Sequence, residues 1–139
     1  MKPGVRLYNV SMKPETENWL KIARYELKAA KSLLKDNLFL KVIEHCHAAL
    51  EKVIKGIITE NKSKEPPKIH NLLKLCSLVV VEEVKKDIQD TLNQLNNFFI
   101  MARYPENFDE VNKLLSKEKV KDIYIKTERI FKWLEKKIT

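Results

Sequence analysis

Glycine is nearly missing from this chain, with 2 in 139 residues, and there are 5 prolines. Two glycines cannot build a Walker loop, a dinucleotide fingerprint or a series of tight hairpins, so those phosphate-cradling architectures are excluded. Cysteine is as sparse. Cys46 and Cys76 stand far apart, imply no disulfide framework and are too few for a zinc site of their own. No apolar run is long: the strongest, Leu75 to Val81, is far too short to cross a bilayer. The opening Met1-Lys2-Pro3-Gly4 lacks the apolar core of a signal peptide, so a cytoplasmic protein without a membrane segment is expected. There is no internal repeat, no low-complexity tract and no segment that alternates with period two. Gly-x-Ser-x-Gly cannot be written, and no serine has a histidine at obvious partner spacing, so a hydrolytic triad has no support.

What is present is charge and helical periodicity. Apolar residues make up 44% and charged residues 33%, the balance of a soluble folded chain. A chain of this length forms one domain and buries about two-thirds of its unfolded surface. Lys and Arg number 27 against 19 Asp and Glu, a net charge of +8. Such a surface favours anionic partners, nucleic acid first and nucleotides or membrane surfaces after it. Most of the excess is lysine, which also serves solubility.

Apolar spacing predicts an all-α, up-and-down bundle of four long helices plus one short helix, with residues 1–13 an N-terminal tail and 14–139 a single helical domain. Pro14 and Thr16 open the first helix, Pro by its fixed φ and Thr by capping, and Asp36-Asn37 ends it. The second runs from Leu38 to Glu60 with Val42, Cys46, Ala49, Leu50, Val53 and Ile57 inward and Glu44, Glu51 and Lys55 on the opposite, solvated side. Lys62 to Lys68 is a linker that two prolines keep out of helix. A short helix covers His70 to Val80 and a long one Glu83 to Ala102, stopped by Pro105. Residues 104–115 read as a loop. The last helix follows Ser116 as N-cap, with Val120, Ile123, Thr127, Ile130 and Leu134 inward.

On the second helix Glu44, His47 and Glu51 share a face, the Glu-x-x-His unit of di-iron bundles. No second copy exists, so a solvated face is expected and no metal or cofactor is assigned. Adjacent helix residues point about 100° apart, so His45 and His47 diverge and cannot chelate one ion. Cys46 is expected as a small core residue, and His70 as a capping or packing residue. Phe98, Ile100, Met101, Ile125 and Trp133 fall outside the inward stripes and are expected to be free for another subunit. The most informative segment is Asn96 to Pro105. Arg103 sits in the last turn of a helix, on the side of Asn96 and beside Tyr104, where it can hold a phosphate while a base stacks on the tyrosine. The alternative is an Arg that only satisfies the carbonyls of its own helix end.

The segments Trp19 to Ala30, Cys46 to Gly56, His70-Asn71-Leu72-Leu73 and Ala102-Arg103-Tyr104-Pro105 resemble, in this order, those of HEPN domains (higher eukaryotes and prokaryotes nucleotide-binding). The resemblance covers residues 17 to 136. It implies a bundle of four to five helices, a homodimer, and a partner such as a minimal nucleotidyltransferase in a toxin–antitoxin pair. It also implies nucleotide or RNA binding and, in many members, metal-independent RNA cleavage. Ribonuclease members carry a His roughly four to six residues after an Arg; here Arg103 is followed at those places by Asn107, Phe108 and Asp109. Asn107 cannot transfer a proton and Asp109 is a poor acid at neutral pH. The expectation is therefore a module that binds nucleotide or RNA through Arg103, Tyr104, Asn96 and His47, weakly or not catalytic. The alternatives are an endoribonuclease toxin and a ligand-free dimeric scaffold.

Overall fold

The computed structural model describes residues 12–62 and 64–138, with the side chain of Pro105 left out. Among the described residues there are six α-helices and no strand. They are α1 (Pro14–Lys35), α2 (Phe39–Lys62), α3 (Leu72–Ser77), α4 (Lys86–Met101), α5 (Phe108–Lys113) and α6 (Lys117–Glu135), with a 3-10 turn over Pro105–Asn107. The four long helices form the bundle. The short ones number two rather than one, because the segment read as a loop contains α5, whose Val111 is fully buried. Asp109 and Glu110 in its first turn complement the helix dipole.

Pro14 occupies the first turn of α1, where no backbone N–H is needed, and Glu15 and Glu17 favour the same end. Thr16 does not cap. Lys13 is the N-cap residue, and the Thr16 hydroxyl instead donates to Glu60 Oε1 across to α2 at 2.9 Å. Of the expected tail, residues 1–11 lie outside the described residues, while Lys13 is tied down through its N–H to Glu60 Oε1 at 3.0 Å. At the other end Asn37 takes a φ of 59°, the left-handed region that Asn tolerates. Asn37 N–H donates to Leu34 O and Leu38 N–H to Leu33 O, which closes the helix and reverses the chain into α2.

The most extensive packing is between α1 and α2, where Leu20, Ala23 and Ala30 present small or branched side chains to α2. At Gly56 the helices come so close that a Cβ would lie 3.2 Å from Trp19 Cβ. α2 is the central element and also contacts α6, α4 and α3. It is consequently buried nearly all round: Leu50, Val53, Ile54, Ile57 and Ile58 are within the core. The solvated side expected for Glu51 and Lys55 does not exist, and both are buried. Only Glu44 of that trio stays near the surface, paired with Lys41.

α3 begins at Leu72, two residues later than expected, because Asn71 rather than His70 caps it, accepting from Lys74 N–H at 3.1 Å. α4 begins at Lys86 rather than Glu83. Ser116 caps α6, accepting from Lys119 N–H, and its five expected inward residues are buried. Phe98 is also buried, with Lys119 Nζ 5.8 Å from its ring, so it is not free for another subunit. Ile100 and Ile125 are exposed, Met101 and Trp133 half-buried.

Candidate functional site

The i,i+4 spacing on α2 places Glu51 beneath Lys55, whose Nζ donates to Glu51 Oε2 at 2.7 Å. The same oxygen takes a bond from His70 Nδ1 at 3.1 Å, which arrives from the linker before α3. Burial by itself raises the Glu51 carboxyl. The bonds from Lys55 and His70, with the charges of Lys55 and Lys52, outweigh it and hold the group below the usual carboxylate range. Glu51 is thus ionised at neutral pH and can only accept. His70 Nδ1 therefore carries the hydrogen, and in the neutral ring Nε2 keeps the lone pair. Nε2 has no partner among the described residues, and the His70 side chain is 52% exposed.

Phe99 of α4 lies against this group. His47 stacks on it, centroids 4.1 Å apart and planes 10° from parallel. His70 meets the same ring at 5.6 Å, and the Arg103 guanidinium carbon lies 5.4 Å from its centroid. His47 is 1% exposed, and its Nδ1 is 3.7 Å from Glu51 Oε1, beyond hydrogen-bond reach. Neither ring nitrogen finds a partner among the described residues. Burial pushes its pKa down to about 4 against the opposing pull of Glu51, so the ring is neutral.

Asn96, one turn before Phe99, is buried and committed. Its Oδ1 accepts from Leu72 N–H at 2.9 Å and its Nδ2 donates to Asn71 Oδ1 at 3.1 Å. Those bonds fasten the start of α3, and with it His70, to α4.

Arg103 follows the last turn of α4. It is exposed and makes no ion pair with a carboxylate among the described residues. Tyr104 beside it is 53% exposed. Of the four residues singled out by sequence, His47 and Arg103 meet at the Phe99 ring, and Asn96 stands one turn before it. Arg103 and Tyr104 are exposed just after α4, and His47 and Asn96 are buried. His45 goes elsewhere, to Glu26 on α1 at 2.8 Å, as the helical divergence from His47 requires. Sequence reasoning put Glu51 and Lys55 on a solvated side and gave His70 no partner, where the structure buries the first two and bonds His70 to Glu51. The signal was available. A helix apolar on nearly every face leaves no solvated side, so an i,i+4 Glu–Lys pair within it has to be internal.

Lys52, Lys55 and His70 lie within 4 Å of the one Glu51 carboxylate, and Arg103 adds an exposed positive charge over the Phe99 ring that His70 also meets, which suits the surroundings to an anion. The family profile of the HEPN domain matches residues 16–137. The chain belongs to the HEPN family. In structure it is similar to the protein TT1696 from Thermus thermophilus, with a TM-score of 0.74 over 90% of this chain and 99% of that one, at 19% identity. That likeness is one of fold. No curated protein matches the sequence. Among the described residues no helix of this HEPN protein is long and apolar enough to cross a membrane.

Proposed function

We propose that this HEPN protein binds nucleotide or RNA at the mouth formed by Arg103, Tyr104 and His70. The observation that carries the reading is the Arg103 guanidinium. It is laid over Phe99, open to solvent and without a carboxylate partner among the described residues, so its donors remain for a phosphate. Tyr104 supplies an exposed ring on which a base can stack. Glu51, Lys55, His47 and Asn96 act from below by fixing the groups at the mouth. Catalysis through the Arg-to-His spacing of the ribonuclease members is no part of this reading: Phe108 and Asp109 are exposed without a role at the mouth, and Asn107 cannot move protons.

The HEPN protein acts as a homodimer together with a partner, such as a minimal nucleotidyltransferase in a toxin–antitoxin pair. Ile100, Tyr104 and Phe108, exposed around the end of α4, support an apolar meeting surface next to the mouth. Fluorescence titration with labelled single-stranded RNA and with ATP, at two salt concentrations, tests the binding. Arg103→Ala is expected to weaken it about 10- to 100-fold, the worth of a charge-assisted contact, and to flatten its salt dependence. No binding of either ligand at low salt, or an unaffected Arg103→Ala, refutes it.

A further inference from the structure

We infer that the cleft between α4 and α6 is a second binding site, for a zwitterion with a large apolar side chain, an amino acid of the phenylalanine kind. The site is separate from the mouth at Arg103 and does not rest on it. Ile88 in the cleft and Arg103 stand fifteen positions apart, about 20 Å along the helix axis.

The cleft has a volume of about 320 Å³, within the range of small-molecule sites. Its apolar lining comes from Ile88 of α4 and from Ile130 and Trp133 of α6. Ile130 is buried and the other two are half-buried, so they make the floor, while the charged side chains around them are exposed and make the rim. An indole and two branched side chains left in contact with water gain from an apolar occupant. One end of the cleft is closed. Lys137 Nζ lies 4.6 Å from the centroid of the Trp133 ring and 3.1 Å from Glu82 Oε2, which ties the end of α6 to the segment before α4.

The rim is divided by charge. The α6 side carries Lys126 and Arg129; α4 and the segment before it carry Glu82, Glu83, Lys85 and Asp87. Lys126 is paired with Asp122 on its own helix at 2.9 Å, and Glu82 with Lys137. Arg129, Glu83, Lys85 and Asp87 make no ion pair among the described residues. Lys85 offsets one of the two carboxylates beside it, so one positive charge, Arg129, faces one negative charge over an apolar floor. A zwitterion completes that arrangement. Its carboxylate takes the paired N–H donors of Arg129. Its ammonium meets Glu83 or Asp87, whose Oδ1 accepts from Ile88 N–H at 3.0 Å and whose Oδ2 stays open. Its side chain covers Trp133. A phosphate-bearing ligand would set its charges against Glu83 and Asp87, so nucleotides are disfavoured here.

The chain holds two tryptophans, and Trp19→Phe leaves Trp133 as the reporter in the cleft. L-phenylalanine titrated into that variant should change the Trp133 emission saturably. Phenylpropanoate lacks the ammonium and phenethylamine lacks the carboxylate; each should bind about 10-fold or more weakly, the worth of one charge-assisted contact. Arg129→Gln should weaken phenylalanine and phenylpropanoate and leave phenethylamine unmoved. Glu83→Gln combined with Asp87→Asn should weaken phenylalanine and phenethylamine and leave phenylpropanoate unmoved. These three positions are exposed, so circular dichroism should not change. Calorimetric titration of the unsubstituted chain should give the same ranking of probes, whatever Trp19→Phe does to folding. An absence of saturable phenylalanine binding overturns the inference. Equal binding of the three probes also overturns it, since the cleft would then be an apolar crevice without charge recognition. Phenylalanine binding indifferent to Arg129→Gln does the same.

Discussion

Replacing His47 with leucine removes an imidazole whose two nitrogens are buried without partners among the described residues. At neutral pH the change is close to balanced. The variant sheds an unsatisfied polar group, worth about 1–3 kcal/mol, and forfeits the stack on Phe99, worth about 0.5–1.5 kcal/mol. The acid side differs. His47 is held down to about 4 from an ordinary 6.5, chiefly by burial. Below pH 6.5 the unfolded chain takes up a proton that the folded chain refuses until about pH 4. The unfolded state then binds more protons, so wild-type stability falls as pH drops through this window. At about 1.4 kcal/mol per pH unit the loss amounts to about 3 kcal/mol. Glu51, held below the carboxylate range, adds a loss of the same sign, but only beneath its ordinary 4.5. Urea denaturation of wild type and His47→Leu at intervals between pH 7.5 and 4.5 measures the difference. The two curves should start within about 1 kcal/mol of each other and then diverge, the variant becoming the more acid-stable. Parallel curves would show that His47 is protonated as easily folded as unfolded, and would refute the burial argument.

Lys55→Met leaves the buried Glu51 carboxylate short of its nearest cation and should cost about 3–5 kcal/mol by the same denaturation assay. Adding Glu51→Gln to it should recover a large part of that loss, a coupling that a double-mutant cycle reads directly. Asn96→Leu removes the acceptor of Leu72 N–H and the donor to Asn71; it should destabilise the chain by about 2 kcal/mol. Hydrogen exchange should show that loss concentrated in α3 and the segment before it.

Periodicity made the four long helices legible because each commits one stripe to the core, as Val120, Ile123, Thr127, Ile130 and Leu134 do on α6. Ser116 and the Asp36-Asn37 stop were legible because caps act locally. The boundaries of α3 and α4 were less so, since Asn71 and His70 compete for one role over neighbouring positions. α5 is too short for its period to stand out, and only contact with the core reveals Val111. Arg103 announced itself as a cation before a helix-stopping proline. The group below it did not, because Glu51 meets His70 nineteen positions away and Asn96 meets Leu72 twenty-four away. Pairings of that range follow from how α3 and α4 lie on α2, which no local pattern records. Phe98 misled for a related reason: its helix touches both α2 and α6, so the buried arc is wider than one stripe.

The side-chain amide of Asn96 has a consequence for the prolines upstream. By gripping Leu72 and Asn71 it sets where the chain re-enters the bundle, independently of the route taken from the end of α2. Residues between Lys64 and Pro67 are thereby relieved of any duty to measure distance, and several could be inserted or deleted without moving the imidazole that follows. The spacer is free to vary in length while the place it delivers to stays put.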